Sequence, residues 1–310
     1  MSVINTNVTA LYSQNAMRTN ARSMNNVMEQ LSTGSRVNSA KDDAAGLAIG
    51  QNMTSQVRGL NQAVRNLNDG VNMLQTAEGA MIEQSNMLQR MRELAVQAMN
   101  GTYSNVQRSY LDKEFQALSV QIGKIALDTK WNDQTLLDAS QTQDGTAGTF
   151  KYQAGQNAGQ TVVVTINAMT LTGLAINAQA AFSTPAVSAG AADVYGNIAT
   201  ASIAAQSIAS PDIGTASRAT ATVALVSAAL ETINNQRAQL GAAINRMAYA
   251  ADNLTNISAN TTQSRSNIMD TDYALATTQL AKAQIIQQAA TAMLAQANQQ
   301  PQGVMALLKG

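Results

Sequence analysis

The sequence contains no histidine and no cysteine, and both absences narrow its chemistry. Without cysteine there are no disulfide bonds and no thiolate metal ligands, and without histidine the usual general base and the commonest metal ligand are missing. No phosphate-binding loop, dinucleotide-binding, zinc-protease or nucleophile-elbow motif stands in a suitable context. We therefore expect no enzyme activity, no catalytic residue, no cofactor and no bound metal.

Charged and aromatic residues are also scarce, at 12% and 4% of the 310 residues. Nineteen basic residues balance nineteen acidic ones, so the chain lacks the positive field that nucleic acid attracts. No run approaches the roughly 20 apolar residues of a membrane span, and residues 1–17 lack the basic and apolar regions of a signal peptide. We expect no nucleic-acid partner, no membrane insertion, and either a cytosolic location or export without a cleaved signal.

Apolar periodicity predicts three helices before residue 130. The first runs from about Asn5 to Leu31 and stops at Gly34, the second begins near Ala40, and the third covers about 106–129. The second has the heptad spacing of a coiled coil with one change of phase. The apolar positions in the three helices are Met17, Ala21, Met24, Met28 and Leu31; Met53, Val57, Leu60, Val64, Leu67, Val71, Leu74, Ala77, Met81, Leu88, Met91 and Ala98; and Val106, Tyr110, Leu111, Phe115, Leu118, Ile122 and Ile125.

The stretch 141–216 differs in composition and is predicted to be a small inserted domain. Four charged residues lie between positions 141 and 215. The β-branched run from Val162 to Ile166 is typical of a strand. The sequence thus predicts a mainly α fold: a long antiparallel helical bundle or coiled coil formed by the N- and C-terminal segments, with a small, mixed, β-containing insertion.

Helical periodicity returns after Ser217, and a last helix is predicted from Asp272 to about Gln299, ending before Pro301. The seam of the longer C-terminal segment contains Val226, Leu230, Ile233, Leu240, Ile244, Met247, Ala251 and Leu254, with Arg237 as its charged member.

Both terminal segments are nearly free of charge. The first charged side chain is Arg18, and residues 276–310 contain only Lys282 and Lys309. Their modest, alanine-rich apolar stripes offer little burial in an isolated chain, so we expect these segments to fold against neighbouring copies. The alternative is a pair of ordinary bundle helices whose polar faces use Asn, Gln and Thr.

Three sequence blocks carry a family resemblance. They run from Leu31 to Gly46 (LSTGSRVNSAKDDAAG), from Leu88 to Ala95 (LQRMRELA) and from Leu294 to Gln299 (LAQANQ). Together they resemble the bacterial flagellin family over residues 1–140 and 217–310. The resemblance implies a structural subunit that polymerises into the flagellar filament for motility.

The resemblance also implies an inner tube made of the chain ends, an outer spoke, and an outward-facing insertion. The implied segments are 1–39, an inner-core helix and connecting loop; 40–140, the first part of the spoke; 141–216, a surface-exposed variable domain; 217–267, the second part of the spoke; and 268–310, the C-terminal inner-core helix. Candidate polymerisation residues are Val8, Leu11, Met17, Leu280, Ile286 and Leu294.

Several partners follow from the same resemblance. The chain itself is the main one, as a helical homopolymer, together with a flagellar export chaperone and the cap and hook-junction proteins. Export through the flagellar type III apparatus, without a cleaved signal peptide, would place the protein in the extracellular filament. The vertebrate Toll-like receptor for flagellin is a further implied partner. Its candidate contacts are Gln89, Arg90, Leu94 and Glu114, and the alternative for Arg90 and Glu114 is a surface ion pair between antiparallel helices.

Other interpretations of the sequence remain open. A flagellin-like adhesin would bind glycans through the insertion, whose aromatic residues are Phe150, Tyr152, Phe182 and Tyr195. A hook–filament junction protein would share the helical termini.

Adjacent carboxylates at Asp42 and Asp43 suggest an acid–base or metal site. Helix capping after Ser39 accounts for them better, because no second cluster of ligands lies nearby in the sequence.

Overall fold

The computed structural model describes residues 7–143, 146–174, 176 and 211–308, except for the side chains of 142–143 and 300–308. It is mainly helical with short antiparallel strand pairs, which confirms the predicted fold class. In chain order the elements are α1 (Val8–Thr33), α2 (Ala44–Met99), α3 (Asn105–Asp128), β1 (Lys130–Trp131), β2 (Gln134–Thr135), β3 (Thr142–Gln143), β4 (Thr146–Ala147), β5 (Thr149–Gln153), β6 (Thr161–Thr165), α4 (Ala216–Met269) and α5 (Tyr273–Leu308).

The chain divides into two compact units. The terminal unit contains Met1–Leu60 and Asn256–Gly310, and the central unit contains Asn61–Thr255. The five segments implied by the family resemblance are a finer division and stay a prediction.

In the terminal unit α1 and α5 run antiparallel, with their Cα atoms approaching within 8 Å. The side chain of Asn20 donates to the carbonyl of Ala283 over 2.8 Å. Ala276 and Ala283 are buried on the α5 side. The prediction that Met28 lies on the α1 seam is wrong, since Met28 is 52% exposed and Val27 is 5% exposed. The partner helix meets α1 on the face that carries Val27, one residue away.

The end of α1 and the start of α2 follow local backbone chemistry. Gly34 stops α1 as predicted, because it adopts φ 71°, where a side chain is strained. The prediction that α2 begins near Ala40 is wrong by four residues. Asp42 accepts from the backbone and hydroxyl of Ser39 and closes a separate turn. The helix starts after Asp43, whose carboxylate accepts from the N–H of Gly46 over 2.8 Å.

The last helix continues to Leu308, so the predicted end before Pro301 is wrong. A proline inside a helix removes the N–H that would bond to the carbonyl four residues earlier, here that of Ala297. That carbonyl accepts from the side chain of Asn7 over 2.8 Å. The packing of α1 on α5 therefore supplies the hydrogen bond that the proline removes.

The central unit is built around the predicted seam of α2, which the structure largely confirms. Leu67, Leu74, Met81, Leu88 and Met91 are fully buried. Helix α3 returns antiparallel to α2 and buries Phe115, Ile122 and Ala126, and α4 adds Val226, Ile233, Leu240 and Met247. Burial of such side chains contributes roughly 1.5–3 kcal/mol each.

The first turns of α3 differ from the prediction. Val106 and Tyr110 are each 62% exposed, whereas Arg108 is 7% exposed. The guanidinium of Arg108 reaches the end of α2 and donates to the carbonyls of Ala98 over 2.7 Å and Asn100 over 3.0 Å. These terminal carbonyls have no partners within their own helix, so Arg108 caps α2 and takes the inward position.

The predicted strand in the insertion is confirmed as β6, which pairs antiparallel with β5, with Phe150 opposite Val164. Tyr152 of β5 lies against Gly70 of α2, and its hydroxyl is 3.2 Å from the sulfur of Met73. Burial raises the pKa of Tyr152. The strand pair is therefore packed directly on α2.

Candidate functional site

The paired terminal helices bury little apolar surface. Among the side chains that the structure describes in α1 and α5, the buried apolar ones are Val27, Ala276 and Ala283. Large apolar side chains point away from the pair instead. They are Val8, Leu11, Tyr12, Met28, Tyr273, Leu275, Ile285, Ile286 and Met293, each between 41% and 74% exposed. These exposed apolar side chains lie on both helices of the pair.

The six predicted polymerisation residues fall into two groups. Met17, Leu280 and Leu294 are half-buried on the seam between α1 and α5. Val8, Leu11 and Ile286 are 48%, 56% and 41% exposed on the outer faces. In this arrangement the first group lies between the two helices of one chain, and the second group faces outward.

The block from Leu31 to Gly46 contacts the connection between α4 and α5. The N–H of Arg36 donates to the carbonyl of Met269 over 2.6 Å, and the N–H of Thr271 donates to that of Gly34 over 3.0 Å. The Arg36 guanidinium adds a bond of 2.7 Å to the carbonyl of Ile268. These backbone contacts form a short antiparallel bridge that holds the connection before α2 against the connection before α5.

The predicted receptor residues lie in the central unit, on α2 and α3. Arg90 is held by two carboxylates, with Nε 2.9 Å from Glu114 and Nη1 3.0 Å from Glu93. The hydrogen bond to Glu114, followed by that to Glu93, raises the pKa of Arg90. About half of the side chain remains exposed. The structure thus brings Arg90 and Glu114 together as an exposed ion pair, and adds Glu93 to it.

Gln89 is exposed beside Arg90, but Leu94 is 1% exposed and packs in the core. A side chain covered to this extent is not available to a partner in this conformation. Leu94 therefore packs on the core-facing side of α2. The exposed residues form a charged surface patch of Gln89, Arg90, Glu93 and Glu114. We call these four residues the Arg90 patch.

Two buried glutamines fix the chain as it leaves β6. Gln84 of α2 donates to the carbonyl of Met169 over 3.1 Å and to that of Ile122 over 3.2 Å. Gln236 of α4 donates to the carbonyl of Thr165 over 2.9 Å. Both side chains are at most 1% exposed. Their hydrogen bonds therefore tie the segment from Thr165 to Met169 to the helices.

Helix α3 fixes the chain where it returns to α4. Asp112 accepts from the N–H of Ile213 over 3.0 Å, and Gln116 donates to the carbonyl of Pro211 over 2.6 Å. The sequence analysis predicts a role for neither this pair nor Gln84 and Gln236. For Gln84 the sequence does contain an indication. It lies between Met81 and Leu88, at a heptad position that is normally apolar, so a buried polar side chain could have been expected there.

The aromatic residues proposed for glycan binding are partly used in packing. Phe150 is 3% exposed, and Tyr152 is half-buried against α2. Phe182 and Tyr195 lie outside the described residues. The two described aromatics therefore offer no stacking platform for a sugar, and the adhesin interpretation receives no support from them.

The carboxylates of Asp42 and Asp43 act locally. The hydrogen bond from the Ser39 side chain lowers the pKa of Asp42, and Asp43 caps α2. Within the described part of the chain, no group of three or more carboxylates has metal-binding geometry.

No helix in the described ranges combines the length and apolarity needed to cross a membrane.

Comparison with protein families identifies both ends of the chain. Residues 4–142 match the bacterial flagellin N-terminal helical region, and residues 223–308 match the bacterial flagellin C-terminal helical region. These ranges contain all of α1, α2, α3 and α5 and most of α4. The chain belongs to the bacterial flagellin family, the structural subunits of the flagellar filament.

Similar proteins match over nearly the whole chain. Flagellin A of Vibrio anguillarum is 33% identical over 381 aligned positions, covering 99% of each chain. A flagellin of Halalkalibacterium halodurans is 37% identical over 307 positions, covering 99% of this chain and 100% of the relative. The alignment of 381 positions exceeds the 310 residues of this chain, so it contains gaps.

A solved structure described as a flagellar hook-associated protein of Vibrio parahaemolyticus has a similar fold. Its TM-score is 0.53 at 12% identity, covering 74% of this chain and 100% of that structure. At this identity the likeness concerns the fold alone. It lends no support to the hook–filament junction alternative, and the family match favours the filament subunit.

Proposed function

We propose that α1 and α5 form the element through which copies of this chain polymerise. The observation that carries this proposal is the exposed apolar surface of the pair. Its most exposed side chains are Tyr12 on α1, at 74%, and Ile285 on α5, at 66%. Each exposed side chain of this size gains roughly 1.5–3 kcal/mol when fully buried. An interface repeated with a non-closing symmetry operator generates a filament rather than a ring.

Charge substitution on the outer face of α5 tests this assignment. Ile285→Glu puts a carboxylate on a surface that the filament would exclude from water, so we expect seeded filament growth to fall below detection. Gln284→Glu adds the same charge at an adjacent exposed position and is the matched control for helix content and solubility. Sedimentation and electron microscopy measure polymer. Normal filaments from the Ile285→Glu protein would refute the role of this face.

Truncation gives an independent test of the same role. A chain lacking residues 1–31 or 276–310 loses one member of the helix pair and should remain a soluble monomer, even when filament seeds are added. The central unit retains its own core, so circular dichroism should still show a cooperative unfolding transition. Filaments from either truncated chain would contradict the proposal.

The Arg90 patch supports a second role, recognition by the vertebrate Toll-like receptor for flagellin. The supporting observation is that Glu93 and Glu114 hold an exposed arginine in a defined position. Arg90→Ala should abolish most receptor activation in a reporter-cell assay while changing stability by less than about 1 kcal/mol, as for an exposed ion pair. Arg92→Ala, also exposed on α2, is the control. Full activation by the Arg90→Ala protein would exclude this role.

We also propose that the subunit is exported without a cleaved signal and acts in the extracellular filament. Before assembly, an α5 with exposed Leu275, Ile285 and Met293 is open to non-specific association, so a cytoplasmic chaperone should cover it. Cap and hook-junction proteins would meet the same helices at the two ends of the filament. Co-purification of a chaperone with the full chain, but not with a chain lacking residues 276–310, tests the first of these contacts.

A further inference from the structure

Pro301 leaves one carbonyl of α5 without its usual helical partner. In an α-helix each carbonyl accepts from the N–H four residues later, and proline has no N–H. Residue 301 lies inside α5, which extends to Leu308. The carbonyl of Ala297 therefore has no donor at the normal position, and such a group is destabilising wherever packing shields it from water.

Asn7 provides the missing donor from the other helix. Its Nδ2 lies 2.8 Å from the carbonyl oxygen of Ala297. Its Oδ1 accepts from the N–H of Ala10 over 3.0 Å and thereby caps the start of α1. Serine and aspartate are equally good N-caps, but neither of them also offers an amide donor. Both ends of the Asn7 carboxamide are thus used.

Asn20 offers an internal comparison. Its Nδ2 donates to the carbonyl of Ala283 over 2.8 Å, in the same sense as Asn7. Four residues after Ala283 stands Gln287, which has a backbone N–H. The Ala283 carbonyl therefore keeps its helical donor position and receives a second bond from Asn20. The carbonyl of Ala297 depends on Asn7.

We propose that Asn7 and Pro301 are a matched pair that sets the register of α1 on α5. The proline exposes one carbonyl, and only the alignment that places Asn7 beside Ala297 pairs it again. A slip by one helical turn would leave that carbonyl unpaired and put Asn7 against a carbonyl that already has a donor. Asn7 is thus a positioning residue for polymerisation, and this inference rests on the assembly role of α1 and α5.

A double-mutant cycle tests the pair. Asn7→Ser keeps an N-cap acceptor and loses the amide donor, and Pro301→Ala restores an N–H to Ala297. With the critical concentration for seeded filament growth as the readout, Asn7→Ser should raise it about two- to tenfold, as expected for one lost hydrogen bond. In the Pro301→Ala background the same substitution should have less than a twofold effect. Asn20→Ala should raise the critical concentration by the same factor in both backgrounds.

Several outcomes would overturn the pairing. One is a wild-type critical concentration for Asn7→Ser; another is an equal penalty in the proline and alanine backgrounds. Rescue of Asn20→Ala by Pro301→Ala would reveal general strengthening of α5, which also contradicts a specific pair. If Pro301→Ala fails to assemble, Pro301→Gln restores the same N–H, and failure of both contradicts the proposal. Failure of the assembly role itself would appear separately, as normal growth of the chain lacking residues 1–31.

Discussion

At the scale of single residues, two glycines of α2 differ in what a methyl group would meet. A Cβ on Gly70 would lie 2.8 Å from ring carbons of Tyr152, whereas a Cβ on Gly79 would meet nothing within 4 Å. Gly70→Ala should therefore lower stability by about 1–2 kcal/mol, since overpacking outweighs the gain in helix propensity. Gly79→Ala is the control and should raise stability by about 0.5–1 kcal/mol. Urea unfolding of the monomer measures both, and equal effects would contradict the close packing of Tyr152.

The carboxylate of Asp138 gives a pH-dependent contribution to the same unit. Partial burial raises the pKa of Asp138, but hydrogen bonds from the Ser140 backbone and the Thr135 hydroxyl outweigh it, so the net pKa is lowered. A lowered folded-state pKa means that the stabilisation is complete above the ordinary value, about 3.9. It is lost as pH falls through the lower folded-state value.

We therefore expect Asp138→Ala to destabilise the chain at pH 7 and to have a diminishing effect below about pH 4. The free energy difference from the wild type, measured by urea unfolding across this range, reports the titration. Asp133→Ala, at an exposed position in the preceding turn, is the control. A difference that stays constant down to pH 2 would show that the Asp138 side chain acts through packing and not through its charge.

At the scale of elements, α2 and α3 are held together by a side chain that caps a helix. Arg108→Ala removes donors from the carbonyls of Ala98 and Asn100 and should lower stability by about 2–3 kcal/mol. Arg108→Lys should recover only part of this loss, because a single ammonium group does not reproduce the guanidinium fork. Thermal unfolding measures these changes, with the exposed Arg92→Ala as the control. Full stability of the Arg108→Lys protein would show that charge alone suffices.

Most elements could be predicted from the sequence because their seams repeat every three or four residues. Polar residues that lie outside these seams are the exceptions. The predicted seams pass over Asn20, Gln84 and Gln236, and each of these amides bonds to a backbone carbonyl of another segment. An amide side chain is polar and therefore does not count toward an apolar seam. Because the carbonyl that it bonds to is distant in sequence, these contacts could not be predicted from the local pattern.

The candidate receptor contacts come from the family resemblance and not from periodicity. The alternative for Arg90 and Glu114, an ion pair between antiparallel helices, is what the structure shows. Leu94 lies on the same helix as Arg90 but points inward, which depends on the rotation of α2 about its axis. Local rules end a helix at proline, but α5 continues through Pro301. The carbonyl of Ala297, which Pro301 leaves without its helical donor, accepts from Asn7 of α1, a contact that local sequence does not predict.

At the scale of the whole molecule, the terminal pair buries less apolar surface than the central unit does, as far as the structure describes them. α1 and α5 contain 26 and 36 residues. Ordering a residue opposes folding by roughly 1–2 kcal/mol, and the three apolar side chains that are buried among those described in α1 and α5 do not offset that sum. We expect the monomer to lack most of this helix and the filament to gain it.

Circular dichroism before and after polymerisation should detect this gain. The change expected is most of the 62 helical residues that α1 and α5 contain together, in a chain of 310. A chain lacking residues 1–33 and 273–308 should show the same helix content under both conditions. Equal helicity of the intact chain as monomer and filament would show that the terminal pair is stable without neighbours.

The antiparallel pairing of α1 and α5 also brings residues that are distant in sequence close together. Asn7 and Ala297 are adjacent near one end of the helix pair, and Gly34 and Thr271 are adjacent at the other. Because the chain has no cysteine, one cysteine introduced near Asn7 and another near Ala297 would provide the only two thiols for labelling. A pair of distance-sensitive dyes at these sites would report the closing of each subunit as a flagellum grows.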